Sequence, residues 1–397
     1  MNHKTCKLTR FFRQLIVAVT LFSGISSCNF AAPENTYNEL LAEVSEKFAP
    51  DKRVAVLNFQ VEKNEQGILV LKGETNLPEA HNFLLDTLAK TAVQCIDSIR
   101  VLPSGQLGEN TWGLVTLSVI PMRKTPSYSA EMVSQTIMGT PVKLLDKKHG
   151  WYLIQTPDQY LGWVYSSGIV SLNQAELDNW KSSERYIFTL ISGAAVEMPK
   201  TNAPVISDLV LGNIFEAEQL SKEFLKVKLP DGRQGFVKTA DCIALDQWEN
   251  QTPTAAAVIK TAKTMLGSPY LWGGTSSKGI DCSGFTKTAY FSQGIMLARD
   301  ASQQARYGQQ LDISNFNFQP GDLLFFGRSK DRITHVGLYI GNDQFIHSSG
   351  RVRINSFNPE DENYEPNRKK TLVAACRIIN SINSGQIIAI KNHPWYN

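Results

Sequence analysis

The pattern of apolar and polar positions changes along the chain and divides it into regions of different structure. Residues 37–111 combine two helical stripes with short strands around a turn, which is the pattern of a small α+β unit. From about residue 112 the chain changes to short apolar strands separated by turn residues. After residue 252 helical spacing returns, and further strands follow it. The pattern therefore predicts an α+β protein whose C-terminal part places helices before an antiparallel sheet.

The strand-rich region contains an internal repeat with a constant offset of 73 residues, for example 212 minus 139. Glycine and aromatic positions of the first copy return in the second copy in pairs: Gly139 with Gly212, Trp151 with Phe224, and Gly162 with Gly235. This spacing predicts two copies of one small β-barrel, at residues 116–172 and 185–245, joined by a helical connector. A repeat is structural evidence and says little about a ligand.

Composition narrows the function classes. The 397 residues are enough for two to four domains, and the formal net charge of +3 is nearly balanced. No basic block interleaved with aromatic residues is present, so we expect no nucleic-acid partner. No Cys-x-x-Cys pair occurs, so we expect neither a metal nor another cofactor. A disulfide among Cys95, Cys242 and Cys376 stays open at this point, although buried thiols are favoured.

The first residues have the pattern of a targeting segment. A basic stretch ending at Arg13 precedes an apolar run at residues 15–22, which is too short to span a bilayer permanently. The tetrapeptide Ile-Ser-Ser-Cys that follows resembles the bacterial lipoprotein signal and ends at Cys28. We expect residues 1–28 to act as a signal and lipid on Cys28 to anchor the exported protein to a membrane of the bacterial cell envelope. Ordinary signal cleavage and secretion of a soluble protein is the alternative.

A glycine-rich stretch at residues 270–285 is the main candidate for chemistry. Its glycines lead to Cys282, where apolar residues begin to recur at helical spacing up to Gly294. A cysteine in a first helical turn lies near free N–H groups and the positive end of the helix dipole, which favours a thiolate. A buried structural cysteine is the alternative, but the glycines and two downstream histidines favour a nucleophile.

His335 and His347 lie on consecutive predicted strands that a Gly-Asn-Asp turn joins. A three-residue loop would pair Gly337 with His347 and place both imidazoles on one face of the sheet, about 7 Å apart at the backbone. A two-residue loop would shift the register and place them on opposite faces. We expect Cys282 to attack, His335 to act as general base and then acid, and His347 to orient His335. Two histidines packed in a sheet without a catalytic role are the alternative.

Three further histidines, His81, His149 and His393, are interpreted as surface residues. Oxyanion stabilisation requires donors near the nucleophile, and the backbone N–H of Cys282 is the obvious one. The hydroxyl of Tyr270 can lie beside the sulfur, although the spacing fits a core aromatic residue equally well.

Several motifs occur in order between residues 252 and 379: Pro269-Tyr270-x-Trp272-Gly273-Gly274, Asp281-Cys282-Ser283-Gly284-Phe285, Arg299-Asp300-Ala301-x-x-Gln304, Pro320-Gly321-Asp322-Leu323 and His335-Val336-Gly337. They strongly resemble the NlpC-type cell-wall cysteine peptidases, which have a papain-like core. The repeats resemble bacterial SH3-like domains. The predicted fold class is thus α+β, with a papain-like peptidase domain at 252–380 preceded by two SH3-like β-barrels and an N-terminal α+β unit.

Two SH3-like domains before such a peptidase are similar to the γ-D-glutamyl-L-diamino-acid endopeptidases, also called dipeptidyl-peptidase VI. The resemblance implies cleavage between D-glutamate and meso-diaminopimelate in peptidoglycan peptides that carry a free N-terminal L-alanine. It implies Cys282, His335 and His347 as the triad. It also implies a set of substrate-binding residues around the nucleophile: Tyr270, Asp281, Ser283, Asp300 and Ala301.

In that resemblance Asp300 helps to hold the ammonium of L-alanine, together with an acidic and an aromatic residue of the first SH3-like domain. Glu131 and Tyr160 are the candidates, because a carboxylate and an aromatic face suit a small cation. Relatives often carry serine where this chain has Ala301, so a hydroxyl contact from that position is lost. We expect a monomer. The alternatives are an endopeptidase or amidase acting on intact peptidoglycan, and an inactive wall-binding lipoprotein.

Overall fold

The computed structural model describes residues 34–91 and 93–397, and the predicted signal with Cys28 lies outside the described residues. An N-terminal unit contains two helices and one three-stranded sheet: α1 (Glu34–Phe48), β1 (Gln60–Lys63), β2 (Leu69–Thr75), α2 (Pro78–Ala89) and β3 (Cys95–Val101). Strands β1 and β2 form an antiparallel hairpin, and β3 returns parallel to β2 after α2. Both helices pack on the apolar face of this sheet.

Helix α2 is shorter than its apolar spacing suggests. The stripe predicts a helix up to Ile96, but α2 ends at Ala89 and Ile96 belongs to β3. Strand β3 pairs with β2 along seven residues, from Cys95 opposite Leu69 to Val101 opposite Thr75. The parallel ladder satisfies the backbone groups that further helical turns would otherwise satisfy, so sheet pairing decides the boundary.

The two predicted barrels have the same topology. The strands of the first are β4 (Trp112–Val115), β5 (Val119–Arg123), β6 (Met132–Ile137), β7 (Pro141–Lys148), β8 (Trp151–Gln155), β9 (Leu161–Tyr165) and β10 (Ile169–Leu172). The strands of the second are β11 (Arg185–Phe188), β12 (Gly193–Val196), β13 (Val205–Leu209), β14 (Ile214–Gln219), β15 (Phe224–Lys228), β16 (Gln234–Lys238) and β17 (Cys242–Ala244). Their sheet orders, β10-β4-β7-β8-β9-β5-β6 and β17-β11-β14-β15-β16-β12-β13, are equivalent strand by strand.

Helix α3 (Gln174–Ser182) joins the barrels, and α4 (Leu245–Glu249) follows the second. The C-terminal part then supplies three helices, α5 (Ala255–Thr264), α6 (Cys282–Phe291) and α7 (Ala301–Gln304), and the small hairpin β18 (Thr275–Ser276) and β19 (Gly279–Ile280). Short strand β20 (Ile295–Met296) pairs with β27 (Ile388–Ala389). Helix α5 begins after Thr254, whose side chain caps it, and not after Thr252 as the sequence suggests.

An antiparallel six-stranded sheet forms the rest of the C-terminal part. Its strands are β21 (Gln309–Gln310), β22 (Leu323–Gly327), β23 (Ile333–Gly341), β24 (Gln344–Ser349), β25 (Arg351–Ser356) and β26 (Leu372–Arg377), and helix α8 (Pro366–Thr371) precedes the last. The order is β21-β26-β22-β23-β24-β25. The apolar side of α6, with Phe285 and Ala289, packs in one core with Val336, Leu338 and Ile346 of the sheet.

The loop between β23 and β24 differs from the predicted three-residue loop. Gly341 pairs with Gln344, so only Asn342 and Asp343 form the turn, both with positive φ. An irregularity at Ile340 then restores the expected register, and Tyr339 lies opposite Phe345. The predicted loop length is therefore wrong, but the β-bulge keeps both histidines on one face.

The C-terminal tail joins the domains. His393, interpreted from sequence as a surface residue, is only 3% exposed, and its Nε2 lies 3.1 Å from the Pro157 carbonyl of the first barrel. Trp395 packs edge-to-face on Trp112, and Arg185 of the second barrel donates to the Tyr396 carbonyl at 3.0 Å. The surface interpretation of His393 is thus wrong, because the tail is buried between the domains.

Two findings concern the envelope predictions. The four cysteines of the described range, Cys95, Cys242, Cys282 and Cys376, are free thiols, which answers the open disulfide question. Among the helices of residues 34–91 and 93–397, none has the length and apolar character needed to cross a membrane.

Candidate active site

Cys282 is the first residue of helix α6, and Asp281 is its N-cap. The Asp281 carboxylate accepts from the backbone N–H of Gly284 at 2.7 Å and of Gly273 at 3.0 Å, which fixes the glycine loop against the start of the helix. Gly273 has φ of +79°, and a Cβ there would lie 2.5 Å from the Met132 carbonyl oxygen. The glycine is therefore needed where the first barrel approaches the nucleophile loop.

A chain of hydrogen bonds orders the two histidines. His335 Nε2 lies 2.7 Å from His347 Nδ1, and His347 Nε2 lies 2.9 Å from Asn355 Oδ1. The Asn355 amide is oriented by its donation to the Asn363 carbonyl at 2.8 Å, so Oδ1 faces the ring. His347 Nε2 must then carry a proton, and its Nδ1 accepts the proton on His335 Nε2. This assignment leaves His335 Nδ1 unprotonated, as a general base requires.

Burial shifts the pKa values of both Cys282 and His335. Burial raises the pKa of the Cys282 thiol to about 11, and the charge of Asp281 adds to this. These effects outweigh hydrogen bonds from the backbone N–H groups of Val336 and Ser283, which lower that pKa. Burial, followed by nearby cations, lowers the pKa of His335 well below its ordinary value. Burial therefore opposes the thiolate that the start of the helix favours, and it also disfavours protonation of His335.

The seven residues predicted to bind substrate line one cleft of about 780 Å³ with Cys282: Tyr270, Asp281, Ser283, Asp300, Ala301, Glu131 and Tyr160. A cleft of this size suits a small ligand. Tyr270 lines the cleft together with Cys282, and burial, followed by the charge of Cys282, raises the pKa of its hydroxyl to about 12. The structure thus brings residues of the first barrel to the nucleophile.

Asp281 and Ser283 serve internal contacts within this cleft. Arg299 is buried, with 1% of its side chain exposed, and donates to the two Asp281 oxygens at 2.6 and 3.2 Å. The same guanidinium donates to Ser283 Oγ at 3.1 Å and to Ser134 Oγ of the first barrel at 2.9 Å. Because Arg299 already binds both Asp281 and Ser283, these two residues help to fix the nucleophile loop against the first barrel.

Asp300 and Tyr160 lie together in the part of the cleft that we call the amine end. The Tyr160 hydroxyl donates to Asp300 Oδ2 at 3.1 Å. Glu131 accepts from the indole N–H of Trp272 at 3.1 Å. Ala301 is buried at the start of α7 and offers no hydroxyl. The aromatic candidate of the first barrel therefore meets Asp300, whereas the acidic candidate Glu131 lines the same cleft next to Trp272 of the nucleophile loop.

Sequence analysis missed a contribution from the N-terminal unit. Arg53 Nη1 donates to Asp300 Oδ2 at 2.8 Å and to Ser302 Oγ at 3.1 Å. Asp51 holds the other side of this guanidinium at 2.8 and 2.7 Å and also accepts from Gln303 at 2.9 Å. Burial raises the pKa of Asp51, but the hydrogen bonds from Arg53 and Gln303 and the charge of Arg53 outweigh burial and lower that pKa to about 2. No periodicity or motif around Arg53 signals this contact.

Asn355 was also missed, although the sequence contained a signal for it. Strand β25 pairs with β24 so that Arg353 lies opposite His347. Asn355 follows two positions later and therefore shares the face of the histidine. If the predicted strand pairing had been continued to β25, it would have placed Asn355 beside Nε2 of His347.

The geometry defines a class of protein. A cysteine that begins a buried helix and a histidine that a second polar residue orients on an antiparallel sheet are the arrangement of papain-like cysteine peptidases. The alternative of two structural histidines does not explain a cleft that opens at the cysteine.

Comparison with known families agrees with this class. Residues 267–374 match the NlpC/P60 family, and residues 122–169 match the bacterial dipeptidyl-peptidase Sh3 domain. The chain therefore carries an NlpC/P60 domain with a bacterial SH3 domain before it, and it is homologous to γ-D-glutamyl-L-lysine dipeptidyl-peptidases. These relationships support a peptidoglycan-related endopeptidase.

Two curated relatives illustrate the homology. The chain is 29% identical over 279 residues to the gamma-D-glutamyl-L-lysine dipeptidyl-peptidase of Bacillus cereus, covering 66% of this chain and 82% of that protein. It is 27% identical over 260 residues to dipeptidyl-peptidase 6 of Lysinibacillus sphaericus, covering 63% and 93%.

Solved structures confirm the predicted fold class. The crystal structure of an NlpC/P60 family protein from Bacillus cereus aligns with a TM-score of 0.59 and 25% identity, covering 67% of this chain and 99% of that one. An NlpC/P60 endopeptidase from Photobacterium damselae subsp. piscicida aligns with a TM-score of 0.52 and 17% identity, covering 87% and 86%. The second likeness concerns the fold alone.

Proposed function

We propose that this protein is a cysteine endopeptidase that hydrolyses the γ-D-glutamyl-meso-diaminopimelate bond of peptidoglycan stem peptides with a free N-terminal L-alanine. The observation that carries the proposal is the single cleft that is lined by the nucleophile Cys282 with Tyr270 and also by the paired Asp300 and Tyr160. A nucleophile and a cation-binding end in one cleft suit a substrate with a scissile acyl group and a nearby ammonium.

In the proposed reaction His335 Nδ1 accepts the thiol proton of Cys282 while the sulfur attacks the γ-carbonyl carbon of D-glutamate. The oxyanion forms at the N-terminus of α6, where the backbone N–H of Cys282 can donate. His335 then gives the proton to the leaving amine of the diamino acid, and the C–N bond breaks to leave a thioester on Cys282. Water, deprotonated by His335, attacks this thioester, and the released thiolate regains the proton.

The carboxylate of Asp300 supports selection of an ammonium. Counted together, the charged groups at this cleft are balanced: Lys52, Arg53, Lys124 and Arg299 offset Asp51, Glu131, Asp281 and Asp300. The selection is therefore local and not an effect of net charge. The Asp300 carboxylate can accept hydrogen bonds from an N-terminal ammonium, whereas an acylated N-terminus offers no charged donor.

The test compares L-Ala-γ-D-Glu-meso-diaminopimelate with its N-acetylated form, using mass spectrometry to detect L-Ala-γ-D-Glu. We expect cleavage of the free-amine peptide and at least tenfold slower cleavage of the acetylated one. Cys282→Ala should abolish turnover, while Cys95→Ser, a free thiol of the N-terminal unit, should retain it. Equal cleavage of both peptides would sink the amine selectivity, and release of fragments from intact sacculi alone would favour the wall-acting alternative.

The localisation proposal rests on the Ile-Ser-Ser-Cys tetrapeptide that ends at Cys28. We propose that the exported protein is anchored to a membrane of the cell envelope through lipid on Cys28 and acts there as a monomer. Metabolic labelling with a radioactive fatty acid should mark the wild-type protein but not Cys28→Ser. Equal recovery of both proteins in the soluble fraction would contradict the anchor.

A further inference from the structure

Two arginines beyond the histidine relay have no role in the reaction described above. Arg353 lies on strand β25 and Arg368 on helix α8, and neither lines the cleft around Asp300. We call them the arginine pair, and we call the region that they share with His335 and His347 the histidine end.

Arg353 is placed beside the relay by sheet register. It lies directly opposite His347 in the antiparallel pairing of β24 and β25, so the two side chains share one face of the sheet. Its Nε is buried and has no hydrogen-bond partner among the described residues. A buried N–H without an acceptor is unfavourable, and an oxygen of a ligand would remove the penalty.

Arg368 reaches the same region from helix α8. Its guanidinium lies 5.4 Å from the centre of the Phe326 ring, and that ring lies 5.7 Å from the ring of His335. Its polar contact is a long one, 3.5 Å from Nη2 to Ser349 Oγ.

Neither member of the pair forms an ion pair within 4.0 Å among the described residues. Glu365, the acidic group that acts on Arg368 through space, accepts from the Asn367 backbone N–H at the start of α8. By contrast, Arg53 and Arg299 both contact carboxylates. Two partly buried guanidinium groups without an anion favour a planar, bidentate acceptor such as a carboxylate.

We propose that Arg353 and Arg368 form a subsite for a carboxylate of the leaving-group residue, a conclusion that rests on the proposed peptidase function. The acyl part of the substrate extends from Cys282 toward Asp300, so the leaving residue extends to the other side of the scissile bond. Its amine must contact His335, which protonates it, and its carboxylates are attached a few bonds away. The carboxylate source is either the α-carboxyl group of a C-terminal diamino acid or the side-chain carboxyl group of meso-diaminopimelate.

Four peptides distinguish the two sources: L-Ala-γ-D-Glu followed by meso-diaminopimelate or L-lysine, each with a free α-carboxylate or an α-carboxamide. We expect kcat/KM to fall at least tenfold when the bound carboxylate is removed. A fall on amidation identifies the α-carboxylate, and a fall on replacement by lysine identifies the side-chain carboxylate. In Arg368→Gln and in Arg353→Gln, the ratio of kcat/KM for the peptide with the bound carboxylate to that for the peptide without it should fall toward one. Because both values of this ratio come from the same variant, a general loss of activity cancels.

Controls separate binding from folding. Arg306→Gln, an exposed arginine of the same domain, should keep the wild-type preference. If a glutamine variant does not fold, Arg368→Lys keeps the charge and should retain part of the preference, as the fork geometry is lost. Equal kcat/KM for all four peptides with the wild-type protein would overturn the subsite while leaving the peptidase function intact. Cleavage of none of them would contradict the peptidase function itself.

Discussion

The amine end and the histidine end of the site carry positive charge in different ways. At the amine end, Arg53 and Arg299 are paired with carboxylates of the protein. At the histidine end, Arg353 and Arg368 have no such partner among the described residues and lie beside two imidazoles of lowered pKa. A cation that is already paired positions its neighbours, whereas an unpaired, partly buried cation favours an anion from outside.

The two ends also differ in their construction. The amine end combines three regions of the chain: Arg53 from the N-terminal unit, Tyr160 from the first barrel and Asp300 before helix α7. The histidine end comes from two neighbouring hairpins and helix α8, with His347 and Asn355 on adjacent strands. The geometry of the amine end therefore depends on how the domains pack, and the relay depends on the register of one sheet. Four predictions test this contrast.

The largest effect concerns acid stability of the histidine end. Burial, and then the charges of Arg368 and Arg353 against a partial compensation by Asn355, lowers the pKa of His347 from 6.5 to about 4. Above pH 6.5 the ring is neutral in both folded and unfolded chains. Between pH 6.5 and 4 only the unfolded chain gains the proton, so the free energy of unfolding should fall by on the order of 3 kcal/mol.

Urea unfolding of the wild-type protein and His347→Gln at pH 7 and pH 4.5 measures this. The loss in the free energy of unfolding between pH 7 and pH 4.5 should be smaller in His347→Gln than in the wild type, by on the order of 3 kcal/mol. His149→Gln, in an exposed turn, should lose as much as the wild type. If the free energy of unfolding falls equally in the wild type and in His347→Gln, His347 does not titrate between pH 7 and pH 4.5.

The second effect concerns the tautomer chain. Asn355→Leu removes the acceptor of the His347 proton, so His335 Nδ1 is no longer fixed as the free base. We expect kcat to fall about 10- to 100-fold with little change in KM. Asn355→Asp keeps an acceptor and should retain more activity, and Asn380→Leu on the surface should have no effect. A change in KM alone would mean that Asn355 shapes the cleft and does not orient the relay.

The same contrast explains what could be predicted from sequence. Cys282 and His335 stand out because helical spacing, glycines and strand alternation are local signals. The 73-residue repeat, as in 212 minus 139, predicts two barrels of equal topology, as found. The hairpin loop was predicted wrongly, yet the register was right because the bulge at Ile340 compensates a shorter turn. Local pattern therefore describes the histidine end well.

Local pattern fails at the amine end and for burial. Arg53 contacts Asp300 across 247 positions of sequence, and no alternation or motif connects them. The resemblance to known peptidases supplied Glu131 and Tyr160, which spacing alone did not. The opposing influence on the Cys282 thiol was missed as well, since a helix N-terminus is visible in sequence but the burial that raises the pKa of the thiol is not. The first contact lies between domains and the burial of Cys282 within one domain core, and both depend on tertiary packing.

The third prediction addresses the amine end. Asp300→Asn removes the carboxylate that accepts from the substrate ammonium in the proposed function but leaves Arg53 held by Asp51. We expect kcat/KM for the free-amine peptide to fall about tenfold, with no loss for the N-acetylated peptide. Asp331→Asn, an exposed carboxylate of the same domain, is the control. Equal losses for both peptides would indicate that Asp300 has only a structural role.

The smallest expected effect separates two roles for Arg53. Arg53→Gln leaves both Asp51 and Asp300 ionised, so the charge of the amine end becomes more negative by one. Because the guanidinium is partly exposed, with 35% of its side chain accessible, we expect KM for the free-amine peptide to fall only about two- to fivefold. Lys90→Gln, an exposed cation of the same unit, should leave KM unchanged. A rise in KM would instead show that Arg53 acts by holding Asp300 in position, so that the N-terminal unit would be required for amine binding and would not merely moderate it.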